Sequence, residues 1–266
     1  NPARVAALGG TLISVKDNDL NLSFQNPALI DSSMNNHIAL SYINYFSDIN
    51  YGYASYSRTF KKAGSFGTGM QYIDYGNFTA ATTTGEITGN FAAAEYSLNI
   101  SYSRKVDSLF SVGASLKNIY SIFGNYTSFG CAFDFGSVYL SRNRLFSSAL
   151  VLKIFGKQLK SYYGTHDEPL PFEIQFGLSK KLKHAPFRIT LTARHLEKWD
   201  LTYTDPVTVS ANASTNIFPS NETTSKNKIS ILGDKFMRHF VLSTEVLITQ
   251  NFNLRVGYNY QRRKEL

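Results

Sequence analysis

The closing stretch NFNLRVGYNYQRRKEL, Asn251 to Leu266, decides the fold. Read as an extended chain, Phe252, Leu254, Val256, Tyr258 and Tyr260 fall on one side, and Asn253, Arg255, Gly257, Asn259 and Gln261 on the other. Side chains alternate across a strand with a period of two, so this is a strand with one apolar and one mostly polar face. The alternation recurs from Ile38 onward. Tyr96, Leu98, Ile100 and Tyr102 oppose Ser97, Asn99, Ser101 and Ser103; Phe172, Ile174, Phe176 and Leu178 oppose Glu173, Gln175, Gly177 and Ser179; Phe187, Ile189, Leu191 and Ala193 oppose Arg188, Thr190, Thr192 and Arg194.

Composition says which medium the apolar faces meet. Charged residues make up 17% of the 266, with 17 Tyr and 20 Phe against 1 Trp. That charge content is below the roughly 25% of soluble proteins. The longest apolar runs, such as ALVL at Ala149 to Leu152, stop far short of the about 18 residues that a membrane-crossing helix needs. Aromatic-rich strands remain the means of crossing. The net charge of +8 does not form one stripe but recurs in clusters near reversals of direction (Lys61 and Lys62, Lys105, Arg142 and Arg144, Lys180 to Lys183), which argues against nucleic acid. Cys131 has no internal disulfide partner and reads as a small apolar strand residue. The start, NPARVAALGG, lacks a basic region followed by an apolar core, so any export signal is expected to be already removed or never to have existed.

The pattern predicts about eleven strands, at 38–46, 51–60, 65–73, 95–104, 109–122, 128–140, 146–155, 172–182, 187–196, 240–248 and 252–262. Links after even-numbered strands are tight: KKAG, KVDS, SRNR, KHAP and TQN. After odd-numbered strands they are long at 74–94, 156–171 and 197–239, and short at 47–50 and 123–127. Short turns on one rim and longer loops on the other are the pattern of an outer-membrane β-barrel. In hydrocarbon every backbone N–H and C=O must be paired within the protein, so a sheet crosses only if it closes on itself. The expected fold is therefore all-β: a transmembrane antiparallel barrel over 37–266, with an N-terminal plug over 1–36 carrying Arg4, Gly9, Gly10, Asp17, Asn26 and Pro27. Bacterial barrels have even strand numbers, so eleven strands imply that closing strands lie outside this sequence. The 197–239 loop is too long for a passive connection, and a short helix is expected near Ile229 to Arg238.

Catalytic motifs are absent. The five histidines, His37, His166, His184, His195 and His239, have no metal-ligand spacing and read as solvated or strand-end residues. No G-x-S-x-G elbow occurs. GSFGTG, Gly64 to Gly69, sits inside a strand with no helix following, so its glycines face a crowded lumen or a bulge and do not cradle phosphate. Asp17, Asn18 and Asp19 lack the other positions of a calcium loop and read as a surface turn. Arg188, Arg194, Arg255, Glu173 and Lys117 face inward, where they line a pore or pair with one another or with the plug. No enzyme, metal or cofactor is expected.

The segment ARVAALGGTLISVKDNDLNLSFQNPALI, Ala3 to Ile30, resembles the opening of the PorV/PorQ group of outer-membrane barrels, which are related to FadL-type fatty-acid transporters. The matching positions are Arg4, Ala7, Leu8, Gly9, Gly10, Asp17, Asp19, Asn26, Pro27, Ala28 and Ile30. His37 to Phe60, Glu168 to Arg188 and KWDLTY at Lys198 to Tyr203 resemble the PorQ-like branch, in order and at compatible spacing. The resemblance implies a fourteen-stranded barrel, integral to the outer membrane, in the type IX secretion system. Such a protein is a noncatalytic anchor for a PorZ-like surface protein, beside PorU-like and PorV-like subunits that join cargo to lipopolysaccharide. Trp199, Tyr203 and Phe218 of the long loop are the expected partner contacts. The competing readings are a FadL-like transporter of hydrophobic small molecules and a soluble β-sandwich binding module.

Overall fold

A computed structural model of the chain describes residues 2–162, 170–202, 228–249 and 252–265. The alternating segments form eleven strands: β1 (His37–Asn44), β2 (Asn50–Phe60), β3 (Gly64–Ala81), β4 (Ile87–Lys105), β5 (Phe110–Phe123), β6 (Tyr126–Leu140), β7 (Phe146–Lys160), β8 (Glu173–Lys181), β9 (Phe187–Ala193), β10 (Phe240–Leu247) and β11 (Asn253–Asn259). They make one antiparallel sheet in chain order, each strand hydrogen-bonded to the next. The fold is all-β. β1 and β11 are not paired with each other, so the sheet is open between them.

Polarity across this sheet is inverted relative to a water-soluble protein. On β4, Tyr96, Leu98 and Ile100 are exposed while Asn99, Ser101 and Ser103 are buried. On β5, Phe110, Val112 and Tyr120 are exposed while Ser111, Ser115 and Lys117 are buried. On β11, Leu254, Val256 and Tyr258 face out and Asn259 is buried.

What buries the inner face is the chain's own N-terminal segment. It folds into helix α1 (Ala3–Ala7) and three short 3₁₀ turns at Leu20–Phe24, Pro27–Leu29 and Ser32–Met34, capped by the Asp19, Asn26 and Asp31 side chains. Each cap satisfies a backbone N–H that a helix start leaves unpaired. Val5, Leu8, Leu12, Ile13, Val15, Leu22, Ala28 and Leu29 are buried in one apolar cluster with Val138 of β6 and Ala149 and Val151 of β7. The segment touches most of the sheet: Met34 accepts from Ser57 on β2, Lys16 donates to Ser111 on β5, Ser14 accepts from Ser147 on β7, and Asn259 on β11 donates to Gly9. A thirty-residue segment can reach strands this far apart in order only if the sheet curls around it.

Three expectations change. Residues 74–94 are not a loop: β3 and β4 continue as a paired hairpin to Ala81 and Ile87, across a bulge between Asp74 and Asn77. The strand expected over 146–155 runs on to Lys160. The last strand stops at Asn259, and Tyr260–Glu265 is a helix, so Tyr260 does not join the outward row. The helix expected near Ile229 to Arg238 is present at Lys228–Met237; it is labelled α2, and Tyr260–Glu265 α3.

Candidate functional site

The N-terminal segment is bound to the last strands by a network of six charges. Glu245, projecting inward from β10, has a side chain only 1% exposed and meets three guanidinium groups. Arg4 donates to it through Nε at 3.0 Å and Nη2 at 3.1 Å, Arg188 of β9 through Nη1 at 2.9 Å, and Arg255 of β11 through Nε at 2.9 Å. Arg4 also donates to Asp17 (2.7 Å) and Asp19 (2.9 Å), and Arg188 to Asp17 (3.0 Å). Three cations and three carboxylates balance, as desolvated charges must. Arg188 is therefore paired with the segment and with Glu245, and Arg255 with Glu245. In the Asp17 to Asp19 stretch, expected as a surface turn, Asn18 is exposed, while Asp17 and Asp19 on either side of it are half-buried and join this network through Arg4 and, for Asp17, Arg188.

Burial pushes the Asp17 carboxyl up, but hydrogen bonds and charge from Arg4, and then Arg188, outweigh it and leave its pKa below the usual carboxylate value. A carboxylate with a depressed folded-state pKa adds stability above its unfolded value, and that stability is lost as pH falls through the folded value. Thermal unfolding in detergent should therefore be independent of pH near neutrality and fall below about pH 4. In Asp17→Asn the acid-side fall should be smaller; an identical profile would remove Asp17 from the network.

A second cluster sits further along the inner face. Lys117 of β5 lies 2.5 Å from Asp134 of β6, whose side chain is fully buried. The other Asp134 oxygen accepts the backbone N–H of Ile154 at 2.8 Å, at a register shift where Ile154 has φ of 55°. Lys153 donates to Gln25 of the N-terminal segment at 3.0 Å. Glu173 accepts from Arg194 at 3.0 Å and stands 3.6 Å from His195, which also meets Glu197 at 3.2 Å. Glu173, Arg194, Arg188 and Arg255 all find partners on the inner face.

The remaining segment residues are placed by close approach of backbones. Asn26 is buried, its Oδ1 accepting from Ala28 and its Nδ2 donating to the Ile13 carbonyl at 2.9 Å. A Cβ built on Gly113 would lie 2.6 Å from the Pro27 carbonyl carbon, and one on Gly257 2.2 Å from that of Leu8. Gly9 and Gly10 have φ of 85° and 92°, a left-handed backbone that other residues adopt at a cost. In GSFGTG, Gly67 faces Ile30 and Gly69 faces Phe24. Tyr51 and Tyr53, which break the alternation of β2, are buried against Phe24, the Tyr53 ring edge-on at 5.1 Å.

At the long-loop rim, Trp199 is 61% exposed with its ring 6.2 Å from His239. His239 is at a strand end but is not solvated: it is buried, its two ring nitrogens set against the Lys198 and Lys235 carbonyls at 2.8 and 2.9 Å. Lys235 binds Asp200 at 2.5 Å, and Asp234 accepts from Tyr260 of α3 at 2.6 Å. These contacts hold α2 over the strand ends with Leu232, Phe236 and Met237 exposed. Tyr203 and Phe218 lie outside the described residues.

Glu245 and Asp134, the carboxylates at the centre of both clusters, were not singled out from sequence. The available signal was phase: Glu245 shares the polar row with Val241 and Ser243, and pairs in register with Arg188 and Arg255. Fold and site together define an antiparallel meander that is apolar outside, polar inside and filled by its own N-terminal segment. No protein-family model matches the chain, and no curated protein matches it significantly.

Proposed function

We propose that this protein is an integral outer-membrane β-barrel that acts without catalysis, anchoring a surface partner through its long-loop rim. The observation that carries the reading is the inverted polarity of the sheet, with Leu98, Ile100, Val112, Leu254 and Val256 outward and Ser101, Ser103, Ser111 and Glu245 buried. An apolar surface of this extent in water marks an interaction or membrane face, and strands alternating apolar-out and polar-in are the membrane-barrel arrangement. The PorQ-like sequence resemblance supports a role in type IX secretion, with a PorZ-like surface protein as partner, PorU-like and PorV-like subunits nearby, and lipopolysaccharide as the acceptor of cargo.

The inner face favours an anchor over a FadL-like transporter. The pocket of about 340 Å³ beside the N-terminal segment has apolar walls from Phe24, Ile73, Ile119 and Ile154, but four charged side chains, Glu95, Lys117, Lys153 and Glu173, also line it. A hydrophobic ligand is suited by few polar groups, and desolvating four charges against it would be costly.

Membrane residence is tested by carbonate washing of envelopes: the protein should stay with the membrane and be released by detergent. Leu98→Arg, in the middle of β4, should destabilise the detergent-reconstituted protein by about 2 kcal/mol, the order found for a cation on the lipid face. A soluble, undisturbed Leu98→Arg protein would overturn the membrane reading. For the anchor, mild detergent extraction should co-purify a surface protein from envelopes, and Trp199→Asp with Leu232→Asp, both exposed side chains, should release it while the protein remains folded in detergent. Recovery of the same partner with the double variant would refute this surface as the anchor site.

A further inference from the structure

Cations collect at the short-turn rim. Each of the first four turns there carries at least two lysines or arginines, either within the turn or at the strand ends it joins, and Asp107 is the only carboxylate in those turns. Between the turns after β4 and β6 and the N-terminal segment lies an open pocket of about 370 Å³, lined in part by Lys16, Lys105, Arg142 and Arg144. A second pocket of about 380 Å³ shares Asp31 and Lys105 with it and adds Lys61, Lys62 and Arg104.

The carboxylates here do not balance these charges. Asp17 is already held by Arg4 and Arg188, and Asp31 lies 3.9 Å from Lys16. Lys16 itself is nearly buried, its ammonium donating to Ser111 at 2.7 Å. Lys105, Arg142 and Arg144 are exposed and, among the described residues, meet no carboxylate within ion-pair distance. Burial holds the Lys16 ammonium below its ordinary pKa against the attraction of Asp31, and repulsion from Lys105 and Arg144 adds to that. Such crowding favours an anion. An aromatic row, Phe110, Tyr139 and Phe146, runs along the outward face beside these turns, with ring centroids 5.0 and 6.5 Å apart.

We infer that this groove binds a phosphate-bearing anion, and that the anion is the headgroup of an acidic phospholipid in the leaflet at the short-turn rim. Arginine forks match phosphate oxygens in geometry and charge, and the flanking rings give the acyl chains an apolar surface next to the headgroup. The lipid source rests on the membrane reading above; the affinity for phosphate does not.

The test is native mass spectrometry of the full chain, delipidated in a nonionic detergent and offered phosphatidylglycerol, phosphatidylcholine or inorganic phosphate. Phosphatidylglycerol should be retained in preference to phosphatidylcholine. Lys105→Gln, Arg142→Gln and Arg144→Gln together should weaken that retention at least about tenfold, given roughly 1 kcal/mol per basic residue at an anionic membrane surface. Added salt should weaken it in the wild-type protein too, a readout that needs no variant. Equal retention of both lipids with no binding of inorganic phosphate, or retention of phosphatidylglycerol undiminished in the triple variant and in salt, overturns the site. Binding of inorganic phosphate without a lipid preference supports the phosphate site and overturns the headgroup as its source. Flotation of wild-type protein with vesicles separates the two proposals: failure to insert sinks the membrane reading, whereas insertion without headgroup preference sinks only this one.

Discussion

Replacing Glu245 with alanine is expected to cost about 3–5 kcal/mol of stability, the range for removing one partner from a buried ion pair. The reason lies in how many groups depend on this carboxylate. Arg4, Arg188 and Arg255 all donate to it, and its own side chain is 1% exposed, so water does not readily replace it. Asp17 and Asp19 remain for Arg4, and Asp17 for Arg188, but Arg255 has no other partner in this network. Denaturant unfolding of the detergent-solubilised protein measures the loss. Glu245→Gln keeps the volume and the acceptor oxygen but not the charge, and should fall between wild type and alanine. A cost below about 1 kcal/mol for Glu245→Ala, the level of a surface pair, would mean that the network contributes little.

Gly257→Val should have a comparable or larger effect by a different route. A Cβ at Gly257 would lie 2.2 Å from the Leu8 carbonyl carbon and 2.3 Å from the Gly9 nitrogen, both backbone atoms that no rotamer change can move. Either the strand or the segment must shift, and Arg4 lies only four residues before Leu8. The expected result is a destabilisation of more than about 4 kcal/mol, in the exceptional part of the mutational range, with trypsin gaining access to Arg4 and Lys16. Gly233→Ala is the control. A Cβ there meets nothing within 4 Å, and alanine in a helix gains up to about 1 kcal/mol over glycine. If Gly257→Val leaves the trypsin pattern unchanged, the segment does not depend on this close approach.

The strands were legible because their two faces meet different media, and a period of two records that directly. Legibility failed where local geometry breaks the period. At Asp74 to Asn77 a bulge shifts the register, and Gly76 takes φ of 76°, so the alternating rows before and after it no longer line up and the hairpin reads as a loop. At the other end Tyr260 continues the apolar row by residue type, yet the Asn259 side chain accepts the Arg262 backbone N–H at 3.2 Å and starts a helix. Asparagine before a run of helix formers is a start signal, and alternation outweighed it. The inward positions of Arg188, Arg255 and Glu173 followed from phase alone. Their partners did not, because Arg4 meets Glu245 across 241 residues, and no local pattern encodes where a segment docks.

That separation also constrains the order of assembly. Asn259 binds Gly9 across 250 residues, and Glu245 binds Arg4 across 241. Contacts so distant in sequence form late and slow folding, since the loop they close must be ordered first. The Arg4 to Gly9 end of the segment, which precedes every strand in sequence, is therefore fixed in place only once β10 and β11 have paired. Until then Val5, Leu8, Leu12 and Ile13, all fully buried in the finished structure, have only part of their final surroundings, and this interval is when the chain has most to gain from a chaperone.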